Sequence, residues 1–143
     1  MKIRIAFGTI AMMFILALPL KAGGKGELQK YFSDAAARVK ATDNPSEKRE
    51  ILNKSFLDMS KALGIAEKLP LVSEKDRIGI DNFKAKLHEK QDELSGSNGF
   101  MRVSDKQLNS FSDYVVQDTE QAAVITISLV ALLLIILIVL LIV

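Results

Sequence analysis

The sequence predicts an all-α protein: a small exported bundle of three to four helices, the last running into a C-terminal transmembrane helix. Three observations carry this. Apolar residues recur at helical spacing through the middle of the chain, capping signals stand ahead of the runs, and no residue from Ala122 to Val143 is charged. No alternation of period two is long enough to build a sheet.

At the N-terminus, Lys2 and Arg4 precede an apolar stretch from Ile5 to Leu20, and Lys21-Ala22-Gly23-Gly24 returns to polar composition. This is the layout of a secretory signal peptide ending near Ala22, with an uncleaved signal anchor as the rival reading. Residues 23–26 read as a flexible leader and 27–121 as the extracytoplasmic domain.

Within that domain, Leu28, Phe32, Ala35 and Val39 share one face of a first helix, expected over Glu27 to Ala41. Asn44, Pro45 and Glu47 form a start signal: a cap, a first-turn proline and a glutamate placed to close a capping box. The second helix follows through Ile51, Leu52, Phe56, Met59, Ala62 and Leu63, with Gly64 as the expected stop. Ser73-Glu74-Lys75-Asp76 opens a third helix, whose Ile80, Phe83, Leu87 and Leu94 approach a seven-residue repeat; Gln91 stands where the next apolar residue belongs. Ser95 to Gly99 is a loop. Ser104-Asp105-Lys106-Gln107 opens a fourth helix carrying Leu108, Phe111 and Val115, with Asp118 interrupting the stripe. No Gly or Pro occurs between Ser104 and Val143, so this helix is expected to continue unbroken into the C-terminal segment.

Residues 122–143 would form a helix roughly 33 Å long, enough for a hydrocarbon core of about 30 Å. Lys2 and Arg4 on the cytoplasmic side place the middle domain outside, periplasmic or extracellular, and the C-terminus in the cytoplasm. The same layout is also that of a glycolipid-anchor precursor, with small residues around Asn109-Ser110.

Charge narrows the function. The net charge of +2 arises from the N-terminal segment. Without Lys2, Arg4 and Lys21, 16 basic residues face 17 acidic ones, a mixed surface unlike a nucleic-acid footprint. The absence of cysteine removes disulfides and thiolate metal sites. His88 is the single histidine, a poor start for zinc even with Asp92 one turn away. No nucleophile elbow, phosphate-binding loop or dinucleotide-binding glycine pattern is present. The carboxylates interleave with lysines, as in Glu47-Lys48-Arg49-Glu50, which reads as a solvated helix face. The expectation is therefore a non-enzymatic protein with no catalytic residue, metal or cofactor.

Three binding roles follow: a membrane-anchored extracytoplasmic interaction or structural module, a small single-pass subunit or modulator acting through its membrane helix, or a sensor-like two-span hairpin. The partners expected are the lipid bilayer and either another protein or a second copy. Ala122, Thr126, Leu129, Leu133, Ile136 and Leu140 are candidates for helix association in the membrane: Ala122 and Thr126 as a small-residue pair, the others as a heptad seam. Ile80, Phe83, Leu87 and Leu94 are candidates for facing a partner helix, although the first reading of Phe32, Phe56, Phe83 and Leu87 is core.

Overall fold

The computed structural model describes the backbone of residues 23–143 and the side chains of residues 27–119 and 127–143. The expected N-terminal export signal, residues 1–22, lies outside the described residues. Among those described the fold is all-helical: α1 (Gly23–Ala41), α2 (Pro45–Ala66), α3 (Glu74–Ser95), a 3-10 turn (Asp105–Gln107), α4 (Leu108–Thr126) and α5 (Leu129–Ile142). The first four helices form a ring in which α1 touches α2 and α4, and α3 touches the same two. α5 folds back to lie on α1 and α2.

The periodic apolar residues build the core. Leu28, Phe32, Ala35 and Val39 of α1 are buried, as are Leu52, Phe56, Met59, Ala62 and Leu63 of α2 and Leu108, Phe111 and Val115 of α4. Phe32 and Phe83 meet at 6.4 Å between ring centroids. The Tyr31 hydroxyl donates to the Ser55 carbonyl at 2.9 Å, tying α1 to α2.

The start of α2 follows the cap prediction in part. The Asn44 side chain accepts from the Ser46 and Glu47 amides. Glu47 does not close the box; its carboxylate accepts from Thr42 Oγ1 at 3.1 Å instead. Gly64 does not end α2, which runs on to Ala66 because that residue is fully buried in the core. Arg77 then satisfies the helix end, donating through Nε to the Glu67 carbonyl at 2.8 Å, where a cation also complements the helix dipole.

α1 begins at Gly23, so residues 23–26 are helical, in contrast to the expected leader; no described contact explains the extension. α3 ends at Gly96, in the left-handed region at φ 79°. A Cβ there would lie 2.9 Å from the Cβ and amide nitrogen of Arg102, so both conformation and space favour glycine. The Ser104 box does not form. Its side chain makes no capping bond, because Asp105 is drawn to Arg49 at 2.7 Å and the chain takes a 3-10 turn first. Arg49 also donates to the Val103 carbonyl at 2.6 Å, so this part of the charged run clamps the loop to α2.

The largest departure is at the C-terminus. The expected unbroken helix is interrupted at Ile127 (φ −122°, ψ 133°) and Ser128 (φ −65°, ψ 157°). No helix among the described residues is long and apolar enough to cross a membrane. The 14 residues of α5 span only about 21 Å.

Candidate functional site

The feature that the bundle does not use up is the outer side of α5. Every residue of α5 is apolar, so nothing in its own sequence selects which side faces inward. The fold buries Ala131, Leu132, Ile135, Ile136, Ile138 and Val139, which share one arc of the helix. The opposite arc carries Leu129, Val130, Leu133, Leu137 and Leu141, all exposed to water, from 39% for Leu133 to 77% for Leu141. Val143 continues it past the helix end. A helix that is apolar all round belongs in a core or a membrane. This one is half in a core.

A polar latch holds its N-terminus. Ser128 caps α5 by accepting from the Ala131 amide at 3.3 Å. The Asp76 carboxylate of α3 accepts from the Ser128 amide at 2.9 Å and from its hydroxyl at 2.7 Å. Asp76 is itself at the start of α3, where its amide donates to Ser73 Oγ at 3.1 Å. One carboxylate thus stands at two helix N-termini, the end where negative charge is favoured. Burial works to raise the pKa of Asp76, but the two Ser128 bonds and the Ser73 contact hold it below the ordinary carboxylate value. The expected Ser73-to-Asp76 capping box is therefore redirected, with the carboxylate reaching α5.

A second polar cluster lies between α3 and α4. Lys90 is fully buried, and its ammonium donates to Tyr114 Oη at 2.6 Å and Glu93 at 3.2 Å and pairs with Asp118 at 2.7 Å. It also sits 3.9 Å from the Tyr114 ring centroid, within cation–π range. Desolvation pushes Lys90 down, and the bonds to Asp118, Tyr114 and Glu93 outweigh it, raising Lys90 above the ordinary lysine value. It remains charged, so it has no free amine to act as a nucleophile. For Asp118 burial works upward, and Lys90 and Lys86 together hold it low. The cluster fastens α3 to α4.

An open groove of about 560 Å³ runs between α1 and α4, lined by Ser33, Gln117 and the Lys40–Asp113 ion pair among others. It gathers no nucleophile with an adjacent base. His88 is 71% exposed and its Nε2 lies 3.8 Å from Asp92. No group of three potential metal ligands occurs among the described residues.

The predicted site residues separate into two sets. Ile80, Phe83, Leu87 and Leu94 are all buried against the chain's own helices, which leaves no surface for a partner helix. Of the membrane-helix candidates, Leu129 and Leu133 are exposed, Leu140 is half-buried and Ile136 is buried; the side chains of Ala122 and Thr126 lie outside those described. Sequence reasoning missed Asp76 and Lys90. Lys90 had a signal: 83, 87, 90 and 94 follow four-three-four spacing, so the gap in the stripe falls on Lys90 and not on Gln91.

No protein-family model, curated protein or solved structure matches this chain.

Proposed function

We propose that the chain is a non-enzymatic, membrane-held helical module that works by binding. Residues 122–143 are its membrane segment and the bundle of α1 to α4 is its exported interaction domain. The observation that carries this reading is α5, apolar on every side yet covered by the bundle on only one. Exposed apolar stripes of this kind mark sites of protein or membrane contact. A soluble dimer is the weaker explanation. A seam along a helix of about 21 Å falls short of the roughly 1,200 Å² that stable interfaces begin at. A bilayer needs no such specific area, and it also accommodates the uncharged residues ahead of the joint.

The alternative of a small single-pass subunit acting through its membrane helix draws on the spacing of Val130, Leu133, Leu137 and Leu141, which suits packing against another helix. Deleting residues 27–103 separates the two readings: a bundle-based module loses its partner, whereas a membrane-helix modulator retains it.

The test is fractionation in the native host with the intact mass of the extracted protein. The expected result is a carbonate-resistant membrane protein that retains residues 122–143 and lacks about 22 N-terminal residues, in keeping with signal-peptide processing. Recovery of the intact C-terminus in the soluble fraction would overturn the membrane assignment.

A further inference from the structure

We propose that the C-terminal segment has two states related by a joint at Ile127–Ser128: a docked state, with α5 lying on α1 and α2, and a straight state, in which α4 continues through α5 as one helix across the bilayer. This inference rests on the membrane reading above and adds a mechanism to it.

The only local support of the joint is the Ser128 cap on the Ala131 amide. Pro, Gly, a π-bulge or an inserted side chain ordinarily breaks a helix, yet neither Gly nor Pro occurs from Ser104 to Val143. Ile127 and Ser128 are extended, although both residue types are tolerated within helices. Two tertiary features hold the break: the Asp76 carboxylate on the Ser128 amide and hydroxyl, and the burial of the inner arc of α5. Neither is intrinsic to the segment.

The medium then selects the state. In water the docked form covers half of α5, and the groups freed at the joint are met by Asp76 and solvent. In a hydrocarbon core an interrupted backbone leaves unsatisfied amides and carbonyls, which lipid does not tolerate. Straightening restores the i to i−4 ladder through Ser128 and extends the apolar helix to residues 122–143, roughly 33 Å. The docked α5 is too short to span, and the straight segment is long enough. Leaving the bundle uncovers the faces of α1 and α2 beneath α5 and breaks both Asp76 bonds. The docked form therefore holds until lipid is present.

Two opposite perturbations test this. Ser128→Ala removes the cap and one latch bond while favouring a continuous helix. Leu129→Pro does the reverse. Position 129 is the first residue of α5, where proline fits, and Ser128 already has the extended conformation that a following proline requires. In the straight form the same proline would stand mid-helix. Val143→Cys supplies the only thiol in a cysteine-free chain, at an exposed position. The full chain carrying it is added to phosphatidylcholine–phosphatidylglycerol vesicles, and protection from a membrane-impermeant maleimide reports passage of the C-terminus into the lumen. Circular dichroism in buffer confirms that each variant is folded.

The expected result is labelling in buffer and protection with vesicles. The lipid concentration at half-protection falls roughly tenfold in Ser128→Ala and rises roughly hundredfold in Leu129→Pro. Identical midpoints for the three chains would overturn the two-state joint. Leu133→Glu with Leu137→Glu, both on the outer arc, separates this from failure of the membrane reading. If that double variant floats with vesicles and is protected as the parent is, the segment is not the membrane contact and both proposals fall. If it loses protection while the joint variants match the parent, only the joint falls.

Discussion

α3 and α5 each pack against two other helices, and they are held there by different means. α3 carries its orientation in its sequence: Ile80, Phe83, Leu87 and Leu94 face inward, while charged residues such as Lys75 and Asp81 are exposed. Rotating it would bury charge. α5 has no such pattern, and any rotation would bury comparable apolar surface. Its inner arc is selected by where the Ile127–Ser128 joint and Asp76 place the helix start. A patterned face makes docking unconditional, whereas a uniform one makes it depend on a few polar bonds and on the surrounding medium.

The sharpest way to break this contrast is truncation on each inner face. Phe83→Ala should destabilise the fold by about 3–5 kcal/mol in urea denaturation, as expected for a buried aromatic. Ile135→Ala, equally buried, should fall at the lower end of the Ile-to-Ala range, about 2 kcal/mol, because α5 can roll to refill the gap. Equal losses would show that α5 is locked as firmly as α3.

Next in size is the α3–α4 fastening. Lys90→Ala should reduce stability by about 3 kcal/mol, since it leaves Asp118 and Glu93 without their shared cation. Lys90→Met, which keeps the volume and removes the charge, should recover part of that loss in the same denaturation experiment. If Met is no better than Ala, the charge and not the packing of Lys90 is what matters there.

The latch comes third. Asp76→Ala should lower stability by about 1–2 kcal/mol, the usual effect of losing a cap and its bonds. Its pH dependence follows from the sign of the shift. Asp76 is held below the ordinary value, so its contribution is complete above about pH 3.9, the unfolded aspartate value, and disappears as pH falls through the lower folded value. An acid titration of unfolding free energy should therefore be shallower below that pH in Asp76→Asn than in the parent. A parallel curve would remove Asp76 from the acid response.

Smallest is the outer arc. Leu137→Ser should change stability in buffer by no more than about 0.5 kcal/mol, as for exposed positions generally, while clearly weakening vesicle binding. A large loss in buffer would mean that the arc is covered in the folded protein.

Much of the bundle was legible before any coordinates. The buried stripes of α1, α2 and α3, the Asn44 and Ser73 caps and the loop at Ser95 to Gly99 are local, encoded by spacing and by side chains within one turn of the backbone they serve. The capping errors share one cause. Ser104, Glu47 and Asp76 carry capping-box signatures, yet Asp105, Glu47 and Asp76 each bond elsewhere: to Arg49, Thr42 and Ser128. Glu67, at the end of α2, draws Arg77 and Lys84 from the next helix. A capping motif states what a side chain can bond. Its competitors arrive from other helices.

By itself, the sequence determined that the chain is helical, which faces of α1 to α4 turn inward, and that residues 122–143 have no charge to keep them in water. These follow from short-range periodicity and composition. Only the tertiary structure decided that the chain breaks at Ser128, that Lys90 is buried and that α5 leaves Leu133, Leu137 and Leu141 outside. The bonds responsible join residues 52 positions apart for Asp76 and Ser128 and 24 apart for Lys90 and Tyr114. A uniformly apolar helix has no preferred side until such distant contacts supply one.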